Sequence, residues 1–164
     1  RDAEVLEVGS GRRLNLPIFL WLMGARRICT VDLHPYLKEE LVAEDVAYIA
    51  GQSEEIAASF ASIPLLETRL AALADLMKAG FTLPRLLELC QIEYRAPADA
   101  ACLDLGDDSI DLHVSTNVFE HITPDALEAI LSEAARVVRP GGRLAPVTAA
   151  SADQLLRRAG RATA

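Results

Sequence analysis

Apolar and polar positions follow two different periods along the chain. Residues 3–8 are a short apolar run that ends in Gly9-Ser10-Gly11, the pattern of a buried strand followed by a tight turn. Asn15-Leu16-Pro17 opens a helix, with Asn15 or a neighbour as cap and Pro17 in its first turn. That helix continues through Ile18, Phe19, Trp21, Leu22 and Met23 and stops at Gly24. Residues 27–32 (RICTVD) predict a second strand. A strand, helix and strand in about 30 residues make a crossover unit, which implies a parallel sheet with a right-handed connection.

Residues 36–43 predict the next helix. From Ser53 to Gln91 the period is helical almost throughout, with Leu65, Leu66, Leu70, Leu73, Leu76 and Met77 on the repeat and Pro64 and Pro84 opening new turns. This is more helix than one crossover needs, so residues 51–91 read as a two- or three-helix insertion. It serves either as a lid over the site or as padding against the sheet. Residues 92–95 predict a third strand, and residues 110–115, after the Gly106-Asp107-Asp108 turn, a fourth. Thr123 caps a helix with Pro124 at its first position. Leu127, Ile130, Leu131, Ala134 and Val138 share one face of that helix. Arg139-Pro140-Gly141-Gly142 ends it and turns into a fifth strand over 143–148. Residues 149–164, rich in alanine and arginine, form an atypical tail, with a helix conceivable from Ser151. There is no internal repeat, and 164 residues fit one domain with one core.

Charge narrows the function classes. The formal net charge is −8, which argues against a nucleic-acid partner, because binding phosphates needs a basic surface. From Arg136 onward there are six arginines against one aspartate; a solvated terminal helix explains this better than an RNA-binding patch. The apolar stretch 14–25 is broken by Asn15, Pro17 and Gly24 and is too short to span a bilayer. No basic-then-apolar leader precedes the first strand, so no signal peptide is expected. Because the chain opens almost directly on that strand, an upstream segment is expected to be missing. Cys29, Cys90 and Cys102 are odd in number and none forms a CxxC pair. They read as reduced thiols of a cytoplasmic protein, and the scattered histidines give no zinc spacing.

The most specific chemistry lies in Glu7-Val8-Gly9-Ser10-Gly11, with Asp32 closing the second strand. Glycines allow a sharp bend and close approach of backbone to a ligand, and the following helix turns free N–H groups to the same place. A carboxylate one crossover later accepts hydrogen bonds from a ribose diol. The pair therefore reads as a nucleoside site at the carboxyl ends of parallel strands. A dinucleotide fold wants a third glycine, where Arg12, Arg13 and Leu14 follow instead, and Glu7 would repel a pyrophosphate while suiting a cationic amino-acid tail. The plain alternative is a glycine turn that binds nothing.

At these residues the chain resembles the class I S-adenosylmethionine-dependent methyltransferases, over residues 5–144. Glu7-Val8-Gly9-Ser10-Gly11 is similar to the family's first motif. The resemblance implies a three-layer α/β Rossmann-like fold, sheet order 3-2-1-4-5, with S-adenosyl-L-methionine as cofactor. It makes Asp32 the ribose-binding acid, with Leu33 beside the adenine, and Asp99 and Ala100 (in Ala98-Asp99-Ala100) the segment at the adenine amino group. Asp107-Asp108-Ser109-Ile110-Asp111-Leu112 resembles the entry to the fourth strand. Ser115-Thr116-Asn117-Val118-Phe119-Glu120-His121-Ile122 resembles the stretch lining the methyl-transfer pocket. Val137-Val138-Arg139-Pro140-Gly141-Gly142-Arg143-Leu144 resembles the turn into the fifth strand. There are two departures. The third glycine of the first motif is Arg13 here, which would crowd or re-aim the loop. The family's fold also continues past the fifth strand with elements that residues 149–164 are too short to supply, so the chain is expected to be truncated, leaving an exposed sheet edge through which a homodimer would form.

The resemblance implies methyl transfer from a sulfonium to a nucleophile, with the protein supplying alignment and exclusion of water. His121 is the candidate base for a protonated nucleophile, although ordering the local loop explains it as well. Asn117 is a candidate donor to substrate or cofactor, or a local cap. Glu120 either holds a polar substrate group or faces solvent. His34 reads as a rim residue, His113 as structural and Trp21 as core. The reading is methyl transfer to a small-molecule acceptor, with no nucleic-acid or membrane partner. The alternatives are a non-catalytic domain that binds the cofactor or a protein, and a nicotinamide-dependent oxidoreductase.

Overall fold

The computed structural model describes residues 2–59 and 65–147. The described elements, in chain order, are β1 (Glu4–Val8), α1 (Asn15–Leu22), β2 (Arg27–Val31), α2 (Glu39–Gly51), α3 (Ser53–Ser59), α4 (Glu67–Lys78), α5 (Leu83–Cys90), β3 (Ile92–Arg95), β4 (Ile110–Thr116), a 3-10 turn (Phe119–His121), α6 (Pro124–Val137) and β5 (Val138–Val147). The strands form one sheet in the order β3-β2-β1-β4-β5, with every pairing parallel. The parallel pairing is the one the strand–helix–strand pattern predicts and the order is the one the resemblance implies, with four described helices between β2 and β3.

β1 and β2 lie inside the sheet and are covered on both faces, which is why they read as near-continuous apolar runs. On one face Val5, Ile28, Ile92 and Val114 share a core with Leu14, Ile18 and Leu22 from α1 and its approach. Val42, Val46 and Ile49 of α2, Ile56 of α3, Leu70, Leu73 and Leu76 of α4, and Leu86 and Cys90 of α5 belong to the same core. The other face buries Leu6, Val8, Cys29 and Val31 against Phe119 and against Ile130 and Val137 of α6. Helices on both faces complete the three layers.

Several local boundaries differ from the sequence pattern. α2 begins at Glu39, three residues late, because His34-Pro35-Tyr36 turns on itself, with Tyr36 N donating to His34 O at 2.8 Å. It then runs on to Gly51, since Val42, Val46 and Ile49 keep an apolar stripe facing the core beyond residue 43. The N-cap of α1 is Leu14, the neighbour of Asn15, and Thr123 holds the cap position of α6, but neither makes a side-chain cap bond. Val138, expected on the face of α6, is already in β5, which starts five residues earlier than predicted. Pro140-Gly141-Gly142 lies within that strand at a register shift opposite Ile110 and Leu112, so the expected turn is an irregularity of the strand. Gly142 is required there: a Cβ would stand 2.9 Å from Arg139 O and 3.0 Å from Asp111 O. The turn expected at Pro64, the end of the fifth strand at Thr148 and the tail 149–164 lie outside the described residues.

Candidate functional site

The order of the sheet reverses at β1 and β4, and ligands of open parallel sheets bind beyond the carboxyl ends of strands at such a point. A crevice of about 760 Å³ opens there. Val8 and Val31, the last residues of β1 and β2, form its floor, and Gly9, Gly11, Asp32, Leu33 and Tyr36 one side. Ala98, Asp99 and Ala100 close one end. Thr116, Asn117, Val118, His121 and Ile122, with Ala126 and Ile130 of α6, form the other side.

The glycine bend is built around Asp32. Ser10 Oγ donates to Asp32 Oδ2 at 2.9 Å and Gly11 N donates to the same oxygen at 2.8 Å, while Gly9 N donates to Val31 O at 2.8 Å. The carboxylate is buried apart from its edge on the crevice. Gly9 has φ +89° and a Cβ there would stand 2.3 Å from Val118 Cγ2, so glycine is needed both for the backbone and for the approach of the β4 loop. Gly11, at φ +67°, has nothing within 4 Å of a Cβ position. Asp32 O accepts from Ala98 N at 2.8 Å, which couples the end of β2 to the Ala98-Asp99-Ala100 segment.

The sequence-predicted residues divide into two groups. Gly9, Gly11, Asp32, Leu33, Asp99, Ala100, Asn117 and His121 line the crevice. Glu7, Ser10 and Ser115 are absent from its lining. Ser10 acts through Asp32. Glu7 alternates with Val8 along β1 and so faces the other side of the sheet, where Thr30 Oγ1 donates to its Oε2 at 2.6 Å. Burial pushes its pKa up to about 7; the Thr30 hydroxyl opposes that rise and the nearby Asp32 adds to it. Ser115 is buried and its Oγ has no hydrogen-bond partner.

Asp99 is exposed and its Oδ1 accepts from Ala101 N at 2.9 Å, a local turn bond that shapes the loop. Asn117 holds φ +55° and donates its backbone N–H to Val147 O at 2.7 Å, joining the ends of β4 and β5. Asparagine tolerates that left-handed conformation better than most residues. His121 is exposed at the end of the 3-10 turn, with its backbone N–H donating to Val118 O at 2.9 Å. His34 packs edge-on to Tyr36, with centroids 5.5 Å apart, at the rim. His113 is buried beside Phe119, with its pKa pushed down to about 4 by burial, as a core residue would be.

Sequence reasoning missed Tyr36, Ala126 and Ile130 as lining residues, while Ala98, Val118 and Ile122 lie in stretches it had marked. Tyr36 could have been found from its place just beyond Asp32, whereas Ala126 and Ile130 reach the crevice only through the packing of α6. Arg13 turns away from the crevice: its guanidinium donates to Leu41 O at 3.1 Å and pairs with Asp45 and Glu44 of α2. Within 51–91 no described residue lines the crevice. Among the described residues no cluster of histidine, cysteine or carboxylate side chains could hold a metal, and no helix is long and apolar enough to cross a membrane.

Comparison with known proteins adds to this picture. The family described as a methyltransferase domain matches residues 82–145. No curated protein matches the chain by sequence. The PH0226 protein of Pyrococcus horikoshii OT3 is similar in structure at 17% identity and TM-score 0.50, over 88% of this chain and 48% of that one. Phosphoethanolamine N-methyltransferase 1 of Haemonchus contortus, in complex with phosphoethanolamine and S-adenosylhomocysteine, is similar at 14% identity and TM-score 0.48, over 88% and 22%. A TehB-like SAM-dependent methyltransferase of Corynebacterium glutamicum is similar at 18% identity and TM-score 0.48, over 88% and 53%. This chain thus spans about half, or less, of the length of the structures it matches.

Proposed function

We propose that this chain is a class I S-adenosylmethionine-dependent methyltransferase domain, a reading supported by its fold and by the match over residues 82–145, and that it binds S-adenosylmethionine in the crevice and directs methyl transfer to a small-molecule acceptor. The observation that carries the reading is the pairing of a buried carboxylate, Asp32, with the glycine bend it holds, at the reversal point of the parallel sheet.

The crevice fits such a cofactor in size and chemistry. A volume of about 760 Å³ lies within the range of small-molecule sites. Its floor is apolar, with polar groups at its ends, and Gly11 leaves open space at the bend. Asp32 would accept from the ribose hydroxyls. Leu33 would cover one face of the adenine, with Asp99 and Ala100 at its amino edge. Gly9 and Gly11 would let the amino-acid tail lie against the backbone. When bound, the cofactor supplies an electrophilic methyl group on a cationic sulfur.

The protein's part is alignment. Thr116, Asn117 and Val118 bound the side of the crevice facing Asp32 and would seat the acceptor. Asn117 would orient it by a hydrogen bond. His121, exposed at the mouth, would take a proton from an acceptor that carries one. Glu7 lies beneath the bend and acts on the loop and on the local potential through Thr30 and Asp32.

Two measurements test the reading. S-adenosylhomocysteine should raise the melting temperature and NAD should not, because a ligand that prefers the native state stabilises it. Labelled-methyl transfer to an extract of small metabolites should then identify an acceptor. Stabilisation by NAD alone would overturn the assignment; tight cofactor binding without transfer would leave a cofactor-binding domain and remove the enzymatic claim.

A further inference from the structure

Arg13 stands where the resemblance places a third glycine, and its side chain has a different use. The loop 9–13 is joined to the adjoining segment 32–38, on the same side of the crevice, by Ser10 and Gly11 to Asp32 and by Lys38 N donating to Arg12 O at 3.1 Å. Those bonds end on the Asp32 carboxylate and the Lys38 backbone, ahead of α2. Arg13 reaches the body of the helix. One guanidinium nitrogen donates to the Leu41 carbonyl and to Asp45, and the other pairs with Glu44 at 3.3 Å.

The helix it grips is rigidly seated, with Val42 and Val46 fully buried. Asp45 in turn depends on this contact. Its side chain is 18% exposed, one oxygen meets Arg13, and the other is buried without a partner. A planar guanidinium can serve a carbonyl and a carboxylate at once, which a glycine cannot do and an ammonium does less well. The part of the loop that borders the crevice needs such an anchor, since Gly9 and Gly11 sit at positive φ and bring no side chain to pack, Gly11 being tied only through its N–H to Asp32 among the bonds described.

We propose that Arg13 is a positioning residue: clamped to α2 through Asp45 and the Leu41 carbonyl, it fixes the glycine loop against the adjoining segment at Leu33 and Tyr36, and so holds that side of the crevice in the shape its ligand requires. The inference deepens the cofactor reading and rests on it. The clamp replaces close packing of loop and helix by a charged tether, and Arg13 itself touches no ligand.

The test uses R13A, R13K, D45N and the R13A/D45A pair, with S-adenosylhomocysteine as probe. Affinity is measured by calorimetry well below the lowest melting temperature, and amide exchange of residues 9–13 is followed in the ligand-free protein. R13A should weaken binding about tenfold and speed loop exchange by a similar factor, as expected for lost charge-assisted bonds. R13K should recover part of both, and the double variant should be no worse than R13A, because the two residues act as one unit. The milder R13K and D45N keep the comparison available if R13A does not fold. Unchanged affinity and unchanged loop exchange, with only a lower melting temperature, would overturn the proposal and make Arg13 an ordinary stabilising contact. If the wild-type protein fails to bind the probe, the cofactor reading falls separately, and loop exchange still decides whether Arg13 holds the loop.

Discussion

At the scale of single residues, the site depends on side chains that carry more than one constraint. Asp32 both shapes the bend and faces the crevice. Asp32→Ala should weaken S-adenosylhomocysteine binding at least about tenfold, through loss of charged hydrogen bonds, as isothermal calorimetry would show. Gly9→Ala should cost roughly 1–3 kcal/mol of stability by overpacking, because the new methyl meets Val118. Val118→Ala in the same chain should relieve part of that cost, leaving the strain of a positive φ, and urea unfolding of the two variants would separate the terms. Glu7 gives a pH signature. Its folded pKa is raised to about 7, so the folded chain keeps a proton that the unfolded chain releases near the ordinary carboxyl range. Its contribution to stability is therefore complete at low pH and is lost as pH rises towards 7. Glu7→Gln should remove this loss, gaining on the order of 3 kcal/mol over wild type between pH 4 and pH 8. His113 works in the opposite sense: its folded pKa of about 4 means that stability falls as pH drops below about 6.5. The two slopes oppose each other in wild type, and denaturation across pH should show a steeper acid-side profile in Glu7→Gln.

At the scale of elements, the glycine bend and the β4 loop form opposite walls of the crevice, and α6 fixes the segment between β3 and β4. Arg136 of α6 donates to the carbonyls of Leu103 and Leu105 and pairs with Asp107, while Glu133 accepts from Leu103 N. The Arg136 guanidinium holds the Glu133 carboxyl well below the usual range, at about 2, so this tie persists through ordinary acid conditions. Helices α3 to α5 share the core under α1 and α2, away from the crevice lining. Leu73→Ala, at a fully buried position of α4, should cost about 2–5 kcal/mol of stability. Measured well below its melting temperature, that variant should bind S-adenosylhomocysteine as wild type does. A loss of affinity would instead give the 51–91 stretch a part in closing the site. The pattern of apolar spacing foretold that these helices exist, because Leu70, Leu73 and Leu76 repeat on one face. Where that face docks depends on long-range packing, which local spacing does not encode.

At the scale of the whole molecule, binding and folding are coupled through the crevice. S-adenosylhomocysteine at one hundred times its Kd should add about 2.7 kcal/mol to stability, seen as a raised melting temperature. β5 has no described strand on its far side and exposes Leu144 and Val147. Pro140 and Pro146 remove two N–H donors from that strand, which limits backbone pairing there.

The sequence by itself determined the sheet order's ingredients, the glycine bend and the carboxylate after β2. Each is written in neighbouring residues: an apolar run, a glycine turn, an acid one crossover later. The strand order entered the reading through the resemblance, since the handedness of parallel connections fixes only the sense of each crossover. Only the tertiary structure decided that Glu7 lies on the far face of the sheet, that Arg13 reaches α2, that Val118 requires Gly9, and that Ala126 and Ile130 wall the crevice. Those relations join residues separated by many positions in the chain, and their distances are set by how helices seat on the sheet, a property of packing that no local pattern contains.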